Sequence, residues 1–306
     1  MANRWWIYQR ERFPLLAHSP VILAFSLSAI SFSALLRGAS SLPGLKPCLV
    51  AFITSLLTFL QLRIADEFKD FEEDSRFRPY RPVPRGLIHL RELGWLRAAC
   101  MAIQMVLALW LAPQLALLLC ATWLYLGLMS KEFFVKRWLK ARPILYMVSH
   151  MAIMPLVDLY ATACDWAPRA GARPPRGLLW FLVVSLFNGM VIEIGRKIRS
   201  PQDEENGVET YSFLWGRTRS VSVWLAIMMT TAALAVVAAR QIAFQAPAAI
   251  GLGALLVVAS ALGAIFLKQQ KTSGGKTIEV MSGLWSLGLY LSLGILPLLL
   301  KVWRAP

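Results

Sequence analysis

The sequence predicts an all-α, polytopic membrane bundle of about nine transmembrane helices, on three observations. Hydrophobic residues make up 57% of its 306 positions and charged residues only 16%, a balance outside the soluble range. The apolar residues gather in runs of about 17 to 25, the length that crosses roughly 30 Å of hydrocarbon as a helix. No period-2 alternation competes with these runs, so an outer-membrane barrel is not expected.

Residues 1–18 form an interfacial segment in which "WWIYQRERF" mixes Trp and Arg as a helix lying in the headgroup region does. The long apolar run after it lacks a small-residue cleavage site and is a retained first helix. The spans fall at about 19–36, 45–63, 93–111, 113–129, 143–161, 177–196, 219–239, 245–267 and 278–302, within one domain covering 1–306. The loops 64–92 and 197–218 carry 11 of the 17 acidic residues.

The net charge of +15 is a topology signal rather than a nucleic-acid footprint, because Lys and Arg alternate by loop. Basic residues mark the N-terminus (Arg4, Arg10, Arg12), the second loop (Lys69, Arg76, Arg78, Arg81, Arg85, Arg91), the fourth (Lys131, Lys136, Arg137, Lys140, Arg142), the sixth (Lys197, Arg199, Arg217) and the eighth (Lys268, Lys271, Lys276). Arg169, Arg173 and Arg176 weaken the contrast in the fifth. The positive-inside rule places the N-terminus in the cytoplasm and, after nine spans, the C-terminus outside. The expected location is a bacterial inner membrane, the partner is the lipid bilayer, and no nucleic acid is expected. Cys48, Cys100, Cys120 and Cys164 lack CxxC spacing and are read as packing residues.

"RIADEFKDFEEDSRFRPYRPVPRG", residues 63–86, crowds six of the 17 carboxylates into positions 66–74. If the second span continues as helix, Asp66, Asp70 and Asp74 stand at i, i+4 and i+8, drifting only about 40° per step, and form one stripe. Glu73 lies near it, whereas Glu67 and Glu72 point away. A bare row of carboxylates repels itself or attracts divalent metal. Magnesium takes one or two protein carboxylates and completes its shell with water and phosphate oxygens, so a diphosphate is the natural third party. The prolines after the stripe hold Arg81 and Arg85 on a stiff turn suited to phosphate. The bland alternative is a solvated helix end that terminates the span, its acids balanced by Arg76, Arg78, Arg81 and Arg85.

This stretch resembles the first aspartate-rich motif of the UbiA superfamily of intramembrane prenyltransferases: Asn or Asp, Asp at four and eight residues on, then Arg-Pro and a Gly. Asp66, Asp70, Asp74, Arg81, Pro82 and Gly86 fall on those positions, with Asp66 where the family usually has Asn. The resemblance implies a second acidic motif after the sixth span, and "NGMVIEIGRKIRSPQDEENGVETYSFLWG", residues 188–216, occupies that place. Counting back from Gly207 and Thr210 puts Asp203 and Arg199 on the motif; counting forward from the membrane end selects Glu193, an intramembrane acid. Both registers stay open. The resemblance also implies a diphosphate clamp at Lys136 and Arg137, with Glu132 where a Tyr is usual. The fifth span adds His150, Met154 and Asp158 at four-residue intervals. His150 and Asp158 either bind an acceptor or relay a proton, or serve as a helix–helix hydrogen bond and an outer-interface pair with Arg169 or Arg173.

The site expected from residues and resemblance is therefore Asp66, Asp70, Asp74, Glu193 and Asp203 for Mg²⁺, with Arg81, Arg85, Lys136, Arg137, His150 and Arg199 binding substrate. The activity implied is ionisation of an allylic prenyl diphosphate and transfer to an aromatic or quinone-like acceptor. A UbiA-type terpene cyclase, which quenches the cation internally, and a cation transporter are the alternatives.

Overall fold

The computed structural model describes residues 3–205, 207–269 and 274–304; Lys271, one of the basic loop residues, lies outside them. The described residues form helices and connecting turns, with no strand. Asn3 caps α1 (Arg4–Arg12) by accepting from the Trp5 amide at 3.0 Å. After Pro14 come α2 (Leu15–Leu36), α3 (Leu45–Lys69), the short α4 (Phe71–Phe77), α5 (Leu90–Leu111), α6 (Gln114–Ser130) and the single turn α7 (Lys136–Lys140). The second half comprises α8 (Pro143–Met151), α9 (Ile153–Trp166), α10 (Leu178–Gly195), α11 (Tyr211–Trp215), α12 (Arg217–Arg240), α13 (Gln245–Lys268), α14 (Gly274–Leu293) and α15 (Ile295–Trp303).

Among the described residues eight segments are long and apolar enough to cross a bilayer, with α8–α9 acting as one (Pro143–Trp166) and α14–α15 as another (Gly274–Trp303). The 17-residue α6 is a ninth, shorter apolar helix. The protein is an integral membrane protein. Large side chains such as Leu117, Ile250 and Val257 stand exposed on the outer faces, as a lipid-facing surface requires and an aqueous one does not tolerate.

Two of the expected spans are broken, for one reason. Pro155 and Pro297 each sit at the third position of the second segment, lacking the N–H that would bond residue i−4 and crowding its carbonyl. The helix therefore interrupts at Ala152 and at Gly294. Gly294 is also a contact point: a Cβ there would come within 2.2 Å of the Ser28 carbonyl oxygen, so only glycine lets the α14–α15 junction close on α2.

In a bilayer, buried polar side chains join helices where burial of apolar surface cannot. Gln104 of α5 accepts from Gln61 of α3 (2.8 Å) and Trp123 of α6 (3.1 Å), and donates to Thr58 (2.9 Å). Asn188 ties α10 to Ser286 of α14 (2.8 Å), and Tyr290 of α14 donates to Asp158 of α9 (2.7 Å). Asp158 is thus wholly buried between helices, not at the outer interface with Arg169 or Arg173. It is Asp165, two turns on, that pairs with Arg37 (2.5 Å) and Arg169 (3.4 Å).

Candidate active site

The acid-rich loops meet at one end of the bundle. α3 does not run unbroken through the carboxylate stripe as expected; it ends at Lys69, with Asp70 serving both as its C-cap and as the residue before α4. The i→i−4 bonds nonetheless persist, from Asp70 N to Asp66 O (2.9 Å) and from Asp74 N to Asp70 O (2.8 Å), so the three carboxylates keep roughly helical spacing.

Their surroundings differ sharply. Asp74 is 1% exposed and held between Arg78 and Arg81, each at 2.6 Å, so it anchors the Arg-Pro turn. Asp66 has only a 3.5 Å contact to Arg63 of its own helix. Asp70 makes no ion pair or hydrogen bond through its side chain among the described residues. Partial burial, then the neighbouring charge of Asp66, pushes its carboxyl above the ordinary value, with Lys69 opposing and Asp74 and Glu73 adding to the rise. Glu73 points to α7, where Lys140 donates to it at 2.8 Å and holds its carboxyl below the ordinary range.

That ion pair fixes α7 beside the stripe. Lys136 and Arg137 on α7 are exposed and have no ion-pair partner among the described residues; the charge of Lys136 reaches Glu73. The other expected cations are already engaged: Arg81 by Asp74, Arg85 by Glu11 (2.9 Å) and the Tyr80 carbonyl (2.8 Å), and Arg199 by Glu279 at 3.9 Å.

The second loop docks on the first through a close approach. Gly207, at φ +77°, leaves no room for a Cβ, which would lie 2.6 Å from the Phe77 ring, and the Tyr80 hydroxyl donates to Glu205 at 3.3 Å. Glu193, at the end of α10, is bridged by Arg196 and Lys197, both at 2.8 Å. Arg196 is held above its ordinary value chiefly by Glu193, with help from Asp66, which places the end of α10 opposite the end of α3. Asp203 is half-buried at the end of the 3₁₀ turn Pro201–Asp203.

Sequence reasoning missed several side chains here. Lys69 donates to the Tyr146 hydroxyl and lies 3.5 Å from Glu132. Glu67, expected to point away, is buried in an ion pair with Arg12, which latches α1 onto α3. Glu132, Phe133 and Phe134 have φ of 49°, 54° and 61°, three consecutive left-handed residues with no glycine, a conformation costing about 1–2 kcal/mol each. Such strain persists only where the surroundings over-determine it. It turns Glu132 inward, to 2% exposure. The one sequence signal for this was an acid in a loop otherwise rich in cations.

Magnesium fits the donor set at the stripe. It needs one or two hard carboxylates with open positions, which Asp70 and Asp66 supply, while Asp74 and Glu193 are occupied by their own cations. Among the described residues no three His, Cys, Asp or Glu side chains converge as a closed metal cage, so phosphate and water oxygens would complete the shell.

At one end of the helical bundle, therefore, a stripe of carboxylates lies beside a short helix whose Lys136 and Arg137 have no ion-pair partner among the described residues. The chain belongs to the UbiA prenyltransferase family, whose model matches residues 26–286. Three solved structures share its fold. An apo UbiA homolog from Aeropyrum pernix K1 is 14% identical, with a TM-score of 0.64 over 89% of this chain and 94% of that one. A digeranylgeranylglyceryl phosphate synthase is 14% identical, with a TM-score of 0.62 over 98% and 99%. A UbiA homolog from Archaeoglobus fulgidus, bound to DMAPP and Mg²⁺, is 12% identical, with a TM-score of 0.55 over 94% and 98%. No curated protein matches the chain by sequence.

Proposed function

We propose that the protein is a Mg²⁺-dependent intramembrane prenyltransferase that cleaves an allylic prenyl diphosphate and transfers the prenyl group to an aromatic or quinone-like acceptor. The observation that carries this is Asp70: a partly buried carboxylate amid other acids with no side-chain partner among the described residues, on a stripe beside which the Lys140–Glu73 pair fixes α7 with its Lys136 and Arg137. Carboxylates lacking a cation and cations lacking an anion, side by side, are completed together by a metal-bound diphosphate. The A. fulgidus homolog, with DMAPP and Mg²⁺ bound, supports that ligand class.

Bound Mg²⁺ supplies charge neutralisation for the departing diphosphate. Asp70 and Asp66 would hold it, while Asp74 keeps the Arg78–Arg81 turn in place behind them. Lys136 and Arg137 meet the phosphate oxygens that gain charge as the allylic C–O bond breaks. Lys69 and the Arg196–Lys197 pair raise the local positive potential, and the apolar bundle keeps water from the allylic cation. The diphosphate leaves with the C–O electron pair, the acceptor's electron pair bonds the allylic carbon, and the acceptor's proton passes to the released diphosphate or to water. Glu193 holds Arg196 and Lys197 in position rather than binding metal directly. The site faces the cytoplasm, with the N-terminus on the same side, by the charge asymmetry of the loops.

Purified protein incubated with Mg²⁺ and DMAPP, geranyl or longer diphosphates, with and without aromatic acceptors, tests this. Diphosphate release should depend on Mg²⁺ and on acceptor, and should stop with chelator. A cyclic terpene formed without acceptor would replace transfer by cyclisation.

A further inference from the structure

Beside the acid stripe lies a second polar cluster with half of its acceptor atoms unused. Glu132 Oε1 is 3.5 Å from both Lys69 Nζ and the Tyr146 hydroxyl, while the buried Oε2 has no hydrogen-bond partner among the described residues. His150 is 9% exposed; its Nδ1 is 2.8 Å from the Tyr146 carbonyl oxygen. Only a protonated nitrogen makes that contact, so in the neutral ring the lone pair is on Nε2, which is buried and also without partner. The charge of Glu132 reaches His150. Around them stand flat walls: Tyr146 stacked on His150 at 4.0 Å, Phe133 edge-on to His150 at 6.3 Å, and Tyr125 at 5.5 Å from Phe133.

Buried acceptors without donors are rare and unfavourable. Two in one cluster, one of them aimed inward by a strained turn, define a place for a ligand that brings hydrogens. A diphosphate brings none, and its charge is repelled by Glu132. Magnesium is a poor match for an imidazole nitrogen in this setting, because it favours oxygen ligands.

We infer that Glu132 Oε2 and His150 Nε2 receive the hydroxyl or N–H group of the prenyl acceptor, whose ring lies against the Tyr146, Phe133 and Tyr125 walls. Glu132 is then the residue that selects acceptors carrying a donor hydrogen. The inference rests on the transfer chemistry proposed for the site, but its test does not require turnover.

Binding of 1-naphthol and of its methyl ether to the purified full chain, followed by naphthyl fluorescence, reads the selection directly. Wild type should bind naphthol at least tenfold more tightly than the ether, because the ether lacks only the donor hydrogen. That ratio should fall at least threefold in Glu132→Gln and in His150→Phe, which keeps the stacked ring, and approach one in the double variant. Using the ratio cancels any general loss of folded protein. An unchanged ratio in both single variants, or no preference in wild type, overturns the inference. Normal selection without any prenylated naphthol in the presence of Mg²⁺ and geranyl diphosphate would instead remove the transferase function and leave the donor site standing.

Discussion

Asp70 and Asp74 are equivalent in the sequence pattern and opposite in structure. Asp70→Asn removes an unpaired, partly desolvated charge, so the fold should keep its stability within about 1 kcal/mol while activity falls by about 100-fold or more. Asp74→Ala leaves Arg78 and Arg81 without their buried partner and should cost about 3 kcal/mol. Thermal midpoints in detergent, read beside turnover, separate the two; equal stability losses would contradict the assigned roles. Asp70 also sets a pH dependence. Its raised carboxyl takes up a proton at higher pH when folded than when unfolded, so in metal-free protein its protonated form favours the fold at low pH, a contribution lost as pH rises through the folded value. Metal requires the ionised form, so Mg²⁺ affinity should decline on acidification from above the usual carboxylate range, and Asp70→Asn should lack that component in a Mg²⁺ titration between pH 7.5 and 5. The carboxylate stripe was legible because helical spacing is a property of sequence. So were the arginines after it, of which Arg78 and Arg81 pair with Asp74; the partners Tyr146 and Arg196 were not, since they depend on where helices end and how loops fold back.

At the scale of elements, long apolar runs made the spans readable to within a few residues, because hydrocarbon thickness leaves little freedom in length. The breaks in α8–α9 and α14–α15 were written in Pro155 and Pro297 but masked by continuous hydropathy. The left-handed turn at 132–134 had no conformational signal, since nothing in "EFF" favours positive φ; only an acid in a cationic loop marked the place. The docking of the two acidic loops rests on Gly207 against Phe77. Gly207→Ala adds a strained φ and a 2.6 Å contact with the ring, so the second loop should swing away. The expected outcome is a KM for the prenyl diphosphate raised severalfold, with a thermal midpoint little changed because the loop lies outside the bundle core. Phe77→Ala combined with Gly207→Ala should recover part of the loss, as the clash partner is gone. Loss without any recovery would mean that backbone strain, not the contact, decides the loop's position.

For the whole molecule, chemistry and topology are one question, because the acid stripe, the clamp on α7 and the end of α10 work together only if they share one side of the membrane. They would do so with the nine apolar segments found among the described residues, α8–α9 and α14–α15 each crossing once. A hairpin insertion of α6, the shortest of them at 17 residues, would invert everything after it. Lys and Arg near span ends resist translocation, and the loops at 131–142 and 196–217 are rich in cations, as is 63–85, so the proposed arrangement has all three in the cytoplasm. Single-cysteine variants built on a chain with Cys48, Cys100, Cys120 and Cys164 replaced by Ser or Ala test the arrangement. Glu72→Cys, Arg137→Cys and Glu209→Cys, all at exposed positions, should be shielded from a membrane-impermeant thiol reagent in intact cells and react after lysis. Ala39→Cys and Arg173→Cys, at the opposite end, should react in intact cells. Labelling of Glu209→Cys but not Glu72→Cys in intact cells would split the site across the bilayer and end the metal-diphosphate assignment, whatever the fold.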